Sequence, residues 1–302
     1  MSISPFLTYL QHEKRYSPHT LKSYEADLLA FEKFLSGEFE LSWVEVEATH
    51  VRSYIMAMLS AKIAEASVGR RLSALRSFYK YLVREQIIAK NPMVLVKAPK
   101  VPKKLPVFVE EGKMNRLLDG YLEEDGTAID YFDETFESQR DKLVLELLFG
   151  TGIRLAELLQ LRESDINFYE GTIKVLGKRN KERIIPVHAA LIQQFKDYLV
   201  LKSLQKPDNK TPALIVTNKG ATAYEKLIYR IVNRYLGFIS TQDKKSPHVL
   251  RHSFASSLLN RGADLNDIKL LLGHASLAAT QVYTHNGVER LKSIYKQAHP
   301  KA

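Results

Sequence analysis

At 302 residues, 45 % of them hydrophobic, the chain can fill one or two sizeable cores. With 44 Lys and Arg against 34 Asp and Glu it carries a formal charge of +10, which draws it to a polyanion, either nucleic acid or an anionic membrane surface. The absence of cysteine excludes disulfides and thiolate metal sites. The N-terminus has no cationic start followed by an apolar core, and no apolar run approaches the roughly 20 residues of a membrane helix, so a soluble, cytoplasmic protein with no membrane partner is expected.

Residues 1–90 read as a small helical bundle. A first helix is predicted over about Ile3 to Glu13. Ser17-Pro18 then supplies an N-cap followed by proline at the first helical position, ahead of Leu21, Tyr24, Leu28, Phe31 and Leu35 at steps of three and four. Thr49 is the expected cap of a helix carrying Val51, Tyr54, Ile55 and Met58. Ser67 is the expected cap of one carrying Leu72, Leu75, Tyr79 and Leu82. The last helix also holds Arg70, Arg71, Arg76 and Lys80. Such a cluster is often only a solvated face, but in a chain this basic it is a candidate for contact with a phosphate backbone.

Residues 91–106, NPMVLVKAPKVPKKLP, change the texture. Four prolines break helix and sheet, and Lys97, Lys100, Lys103 and Lys104 charge the segment, so it reads as an extended linker. Lys103 and Lys104 are further candidates for DNA contact. Residues 107–302 then form the second domain. It opens with a helix over Glu110 to Tyr121 and an acidic insert, 122–138, without clean periodicity, expected as a surface excursion away from any nucleic acid.

From Arg140, RDKLVLELLFGTGIRLAELLQL gives two helices. Leu143, Leu147 and Leu148 line the first, Gly150-Thr151-Gly152 breaks it, and the second starts near Arg154 with Leu155, Leu158, Leu159 and Leu161 inward. Glu157 either braces the Arg154 guanidinium or pairs on the surface. Asp165 to Val187 reads as strands around a cationic tip, GKRNKER, in which Lys178, Arg179, Lys181 and Arg183 look solvent-facing, the last three as phosphate anchors at most. A helix over Leu191 to Leu204 and another over Tyr224 to Ile239 follow. In the latter Lys226, Arg230 and Arg234, four apart, make one basic stripe suited to DNA.

The densest chemistry lies in SPHVLRHSFASSLLNRGADLNDIKLLLGHASLAATQVYTH, from Ser246 to His285. His248 and Arg251 share a helix face, Gly262 ends that helix, Asp264 caps the next, and Gly273 ends it beside His274. Two helices and two turns bring these groups and Tyr283 to one surface. The set suits attack on a phosphodiester: arginine forks take the non-bridging oxygens, histidine donates or shuttles a proton, and tyrosine is a nucleophile once deprotonated. A metal site built from His248, Asp264 and His274 fails on type, because Arg251 beside those ligands repels a cation. Each residue also has a dull alternative; Tyr283 is one of 15 tyrosines, and a lone tyrosine is more often a packing aromatic.

The order H-x-x-R, L-L-G-H and Y-T-H, with TGIRLAEL upstream, resembles the tyrosine site-specific recombinases of the phage integrase family, and among them the Xer type. The resemblance implies a mainly α fold with a small β-sheet, arranged as a two-domain C-shaped DNA clamp. Residues 1–90 correspond to its SAM-like core-binding domain, 107–302 to its catalytic domain, and the apolar tail around Val288, Leu291, Ile294 and Tyr295 to a helix exchanged between neighbouring subunits, the alternative being that it packs on its own domain. It assigns catalysis to Arg154, Lys178, His248, Arg251, His274 and Tyr283, the nucleophile, without metal, ATP or any other cofactor. His252 and His285 are not carried over and read as structural. The insert 122–138 departs from the Xer pattern, which is usually shorter here.

The partner implied is double-stranded DNA with paired recombination sites, bound by a homo- or hetero-tetramer, with or without a paralogous recombinase. Strand exchange proceeds through a 3′-phosphotyrosyl link and a four-way junction. Chromosome-dimer resolution and mobile-element integration both stay open. A type IB topoisomerase-like enzyme and a non-catalytic DNA-binding accessory protein are the competing classes; paired-site dependence separates the first and absence of a covalent adduct supports the second.

Overall fold

In the computed structural model the chain divides into two compact units, 1–104 and 105–302. The structure describes residues 2–102, 107–177, 181–205 and 211–273, together with 293 and 295. No helix among them is long and apolar enough to cross a membrane.

The first unit packs α1 (Ser4–His12), α2 (Pro18–Glu38), α3 (Ala48–Ser60) and α4 (Glu65–Arg84) around an aromatic core. Ser17 caps α2, its hydroxyl accepting from the Thr20 N–H at 3.3 Å. The other two expected caps are displaced. Helix α3 starts one residue before Thr49 with Glu47 at the cap, its N–H donating to His50 Nδ1 at 3.0 Å. Helix α4 starts two residues before Ser67, after Ala64. Thr49 and Ser67 therefore lie inside first turns, where tertiary packing outweighs capping preference. Trp43 is the centre of the bundle: its ring meets Phe78 edge-on at 4.7 Å and its Nε1–H donates to Glu32 at 2.9 Å. A buried indole keeps its single donor paired, so the aromatic core pins α2 through Glu32 and α4 through Phe78.

Residues 91–106 do not behave wholly as an extended spacer. Asn91 Oδ1 accepts from the Met93 N–H at 2.9 Å, making a turn that drops Met93 and Val96 into the first unit's core. Arg76 Nη2 then donates to Val96 O at 3.0 Å. Burial of two apolar side chains outweighs the extended tendency of the prolines.

The second unit is built on α6 (Phe136–Gly150), which packs against α5 (Glu111–Asp119), α7 (Leu155–Gln160), α8 (Ala189–Gln205), α9 (Glu225–Ile239) and α10 (Pro247–Asn260). Val144, Leu145 and Phe149 are buried along with Leu143, Leu147 and Leu148, so α6 is enclosed all round rather than on one face. Arg140 and Asp141 are buried with it. The Arg140 guanidinium donates to Asp141 Oδ1 from Nε at 2.9 Å and Nη2 at 2.6 Å, and its Nη1 reaches Asn218 Oδ1. The small sheet is an antiparallel meander of β3 (Ile166–Asn167), β4 (Thr172–Leu176) and β5 (Glu182–Pro186), with Ile173 opposite Ile185 and Val175 opposite Arg183. A last helix, α11 (Leu265–Leu272), packs Ile268, Leu271 and Leu272 on Phe254 and Leu258 of α10.

The acidic insert is more ordered than its sequence suggests. Strands β1 (Tyr121–Leu122) and β2 (Ala128–Ile129) form a short hairpin, and Phe132 is buried with its ring stacked on Tyr235 of α9 at 4.7 Å. Tyr131 stacks likewise on Phe238 at 5.3 Å. The aromatic pair in DYFDETF fastens a charged segment that has no period of its own, so the reading as a bare surface excursion is corrected. Phe132→Ala is expected to destabilise the protein by about 3–5 kcal/mol, the usual loss for a buried aromatic; denaturant unfolding followed by tryptophan-independent far-UV dichroism checks it, and a change under ~0.5 kcal/mol would return the insert to loop status.

Candidate active site

Three arginines meet at the C-terminal end of α11. A helix leaves its last carbonyls without intrahelical partners and carries partial negative charge there. Arg183 Nε donates to Leu271 O at 3.2 Å, Arg251 Nη2 to Leu272 O at 2.7 Å, and Arg154 Nη2 to Gly273 O at 3.2 Å. Each successive carbonyl thus has its own guanidinium, supplied by β5, α10 and the residue before α7.

Local sequence explains the convergence. Arg154 is the N-cap of α7, and Glu157, three positions on, accepts from the Arg154 backbone N–H at 2.7 Å and from its Nη1 at 2.7 Å. Glu157 therefore braces the guanidinium rather than pairing on the surface. Arg251 is buried, and its Nη1 also reaches Gly152 O in the Gly-Thr-Gly turn. That approach needs glycine: Gly152 has φ +61°, and a Cβ there would overlap the Phe254 ring and stand 2.8 Å from Leu272 Cδ2. Gly273 is left-handed at φ +65°, ψ +48°, and a Cβ on it would lie 3.0 Å from Arg183 Cδ. Asp264 caps α11, its Oδ1 accepting from the Asn266 N–H at 2.7 Å, so it is committed to the helix and not to a cation.

The anticipated residues are distributed as follows. Arg154 and Arg251 are brought together; its side chain 30 % exposed, Arg154 is the one open to solvent. His248 lies on the exposed face of α10, its Nε2 sharing a hydrogen bond of 3.1 Å with His252 Nε2. Lys178, His274 and Tyr283 lie outside the described residues, as do Arg179, Lys103 and Lys104. Tyr295 of the apolar tail is buried in its own unit and donates to Gly150 O at 3.2 Å.

Arg183 corrects the sequence reading. It is not a solvent-facing anchor: it is 7 % exposed and grips Glu157 with both arms, Nη1 to Oε1 at 2.8 Å and Nη2 to Oε2 at 2.9 Å. The signal was present in RIIPV, where Arg183 alternates with Ile185 and so shares the buried face of β5. Arg140 was also missed, because a charge among Glu137, Asp141 and Lys142 reads as a solvated helix end and gives no hint of its distant partner Asn218.

Among the candidate DNA contacts, Lys80, Lys181, Lys226, Arg230 and Arg234 are exposed. The stripe on α9 is real in the fold: Lys226, Arg230 and Arg234 lie opposite the buried Ile228, Ile231, Val232 and Tyr235. Arg70, half exposed as well, and Arg71 are tied to the buried Asp27, Arg71 also reaching the Tyr54 hydroxyl at 3.3 Å, and Arg76 holds Val96 O.

Electrostatics follow from this geometry. Burial alone would raise the Glu157 carboxyl, but Arg183 and Arg154 hold it below its usual value. Arg251 is pushed down to about 10, by burial first and then by its like-charged neighbours, and stays charged at neutral pH. The His248 imidazole is lowered by burial, then by His252, Arg251 and Lys244, so it is neutral at pH 7 and able to accept a proton.

Two outcomes are expected. Glu157→Gln leaves buried guanidinium charge uncompensated and should cost about 3–5 kcal/mol at neutral pH. Because the folded carboxyl titrates below the unfolded one, its stabilisation is full above the ordinary value of 4.5 and is lost as pH falls through the lower folded value, so the gap between variant and wild type should close in acid. Urea midpoints from neutral pH down to about pH 2 measure both. Second, imidazole NMR should find His248 titrating below 6.5, and His252→Asn should move it upward by removing a positive neighbour; titration at or above 6.5 in the wild type would contradict the arrangement.

Residues 123–290 match the Phage integrase family and residues 3–86 its N-terminal SAM-like domain. The chain is similar to tyrosine recombinase XerC of Chlorobaculum parvum, 36 % identical over 317 residues, covering 99 % of this chain and 94 % of that one. It is similar also to XerC of Thermodesulfovibrio yellowstonii, at 38 % identity with 99 % and 96 % covered, and of Myxococcus xanthus, at 38 % with 100 % and 99 %. In fold it resembles XerH site-specific recombinase bound to palindromic difH substrate, with TM-score 0.69, 23 % identity, and 97 % and 83 % of the chains covered. The Tn1549 transposon integrase in complex with circular intermediate DNA matches at TM-score 0.68, 16 % identity, and 96 % and 98 % covered. With family matches to both units and relatives alike end to end, the chain belongs to the phage integrase family and is a tyrosine recombinase, an enzyme of site-specific DNA recombination.

Proposed function

We propose that Arg154, Arg251 and His274 hold the non-bridging oxygens of a scissile DNA phosphate while Tyr283 attacks phosphorus. The observation that carries this is the fixing of Arg154 and Arg251 on consecutive carbonyls at the end of α11, since His274 is the next residue in the chain after Gly273. Two permanent charges held there before substrate arrives need no reorganisation as charge builds on the pentacoordinate transition state. The Tyr283 proton passes to His248, whose lowered affinity for protons keeps it available as the acceptor. The P–Oη bond forms as the P–O5′ bond breaks, and Lys178 gives its proton to the departing 5′-oxygen. The 5′-hydroxyl of a partner strand then attacks the 3′-phosphotyrosyl link and restores the tyrosine. The link conserves the bond energy, so the chemistry asks for neither ATP nor metal.

The partner proposed is duplex DNA with paired sites, bound by four subunits that exchange C-terminal helices, alone or with a paralogous recombinase. The exposed stripe Lys226, Arg230 and Arg234 on α9 is the best-supported contact surface, with Lys80, Lys181, Lys103, Lys104 and Arg179 as further backbone contacts. Arg70, Arg71 and Arg76 are weaker candidates because each already serves a partner inside the bundle. Similarity along the whole chain to enzymes named XerC favours a role in resolving chromosome dimers over mobile-element integration.

Nicked duplexes carrying candidate host sites, incubated in EDTA and run on a denaturing gel, test the chemistry. The wild type should form a protein–DNA adduct, Tyr283→Phe none, and Arg154→Ala should lose about 10²–10³ in cleavage rate. An adduct undiminished in Tyr283→Phe would displace that residue as nucleophile. Strand exchange between two duplexes in the same tube separates recombination from topoisomerase action.

A further inference from the structure

We infer that Arg183 is a positioning residue for strand cleavage, the junction through which β5 sets the geometry of three separate carriers of the active site. The inference rests on the proposed roles of Arg154, His274 and Lys178 and adds a residue that touches none of the reacting atoms.

Three sets of contacts carry it. Through Glu157, held on both oxygens at 2.8 and 2.9 Å, Arg183 fixes the carboxylate that in turn orients the Arg154 guanidinium at 2.7 Å. Through Nε to Leu271 O, and through the close approach of its stem to left-handed Gly273, it fixes the end of α11 from which the chain continues to His274. The third contact is with the end of β4. A Cβ on Gly177 would lie 3.7 Å from Arg183 Nη1 and 3.7 Å from Glu157 Oε1, so the residue before Lys178 is seated against the same ion pair. The Gly177 N–H also donates to Lys181 O at 2.7 Å, closing the hairpin two residues before Arg183.

The chemistry favours arginine over lysine here. A planar fork satisfies both carboxylate oxygens and still has Nε for a carbonyl in another direction, whereas an ammonium is a point charge that cannot hold all three in fixed angles. Arg183→Lys keeps the charge and loses the fork. A displacement of Arg154 by a fraction of an ångström is sufficient to misplace it against a phosphate.

The test uses full-length enzyme and the nicked duplex on which wild type forms its adduct, in two versions: a normal scissile phosphate and a methylphosphonate that lacks one charged non-bridging oxygen. For Arg183→Lys, site affinity by gel shift should stay within about twofold, while single-turnover cleavage of the phosphate falls ~10–100-fold. On the methylphosphonate the deficit should shrink to under about threefold, because the charge that Arg154 must meet is gone. Equal deficits on both substrates, or none on either, would overturn the inference. The double variant Glu157→Met/Arg183→Met, which removes both members of the buried pair at once, guards against a folding failure: it should melt cooperatively, bind DNA and cleave poorly, and wild-type cleavage by it would be equally fatal. Without DNA, the Arg154 Nε–Hε resonance should move in Arg183→Lys; an unmoved resonance contradicts the coupling. Arg154→Ala and Tyr283→Phe run alongside: if they cleave normally the catalytic assignment fails, and if they alone are dead while Arg183→Lys is normal only the positioning role fails.

Discussion

Three carbonyls at the end of α11 and three guanidiniums that meet them govern the second unit. Hydrogen bonds from charged donors contribute about 1.5–3 kcal/mol each, and here they satisfy the last carbonyls of a helix end. The arrangement buries charge and gathers like charges that repel one another, and burial first and the neighbouring arginines second push Arg251 down to about 10. One carboxylate, Glu157, offsets two of them and is buried with them. Among the described residues the third guanidinium, Arg251, has no carboxylate of its own, and Arg154 keeps part of its side chain in solvent.

Such crowding is sterically possible because of two glycines. Gly152 lets the turn between α6 and α7 sit flat on Phe254 and Leu272, which brings its carbonyl to Arg251. Gly273 turns the chain left-handed at the end of α11, exposing its last carbonyl to Arg154 and making room for the Arg183 stem. Both positions have positive φ, where any other residue is strained before steric overlap is counted. The motifs T-G-I-R and L-G-H are thus packing statements as much as chemical ones: in each, a left-handed glycine sits where a Cβ would press on neighbouring side chains.

Much of this was legible in the sequence. Helical spacing placed α2, α4, α9 and α10 closely, Ser17-Pro18 and Asp264 gave true caps, and alternation gave β4 and β5. What escaped is what depends on long-range partners. Thr49 and Ser67 carry good capping chemistry, but packing started their helices earlier. Met93 and Val96 looked like linker because the four prolines of 91–106 hide two core positions. Phe132 looked like part of a loop because its stacking partner, Tyr235, is a hundred residues away in sequence. Arg183 sat in a string of cations whose composition said solvent, while its position on β5 said interior, and position prevailed.

That last case separates two uses of arginine that sequence composition cannot distinguish. Arg154 keeps 30 % of its side chain in solvent and commits only part of its fork to Glu157 and Gly273, leaving N–H groups for an incoming oxygen. Arg183 spends Nε and both terminal nitrogens inside the protein and has its side chain 9 % exposed. The first is a partly exposed charge and the second a buried structural one, although they share a single carboxylate. Sharing makes the two interdependent: any motion that loosens Arg183 changes the partner of Arg154. The orientation of Arg154 is therefore set one layer deeper than its own side chain, in a buried pair between α7 and β5.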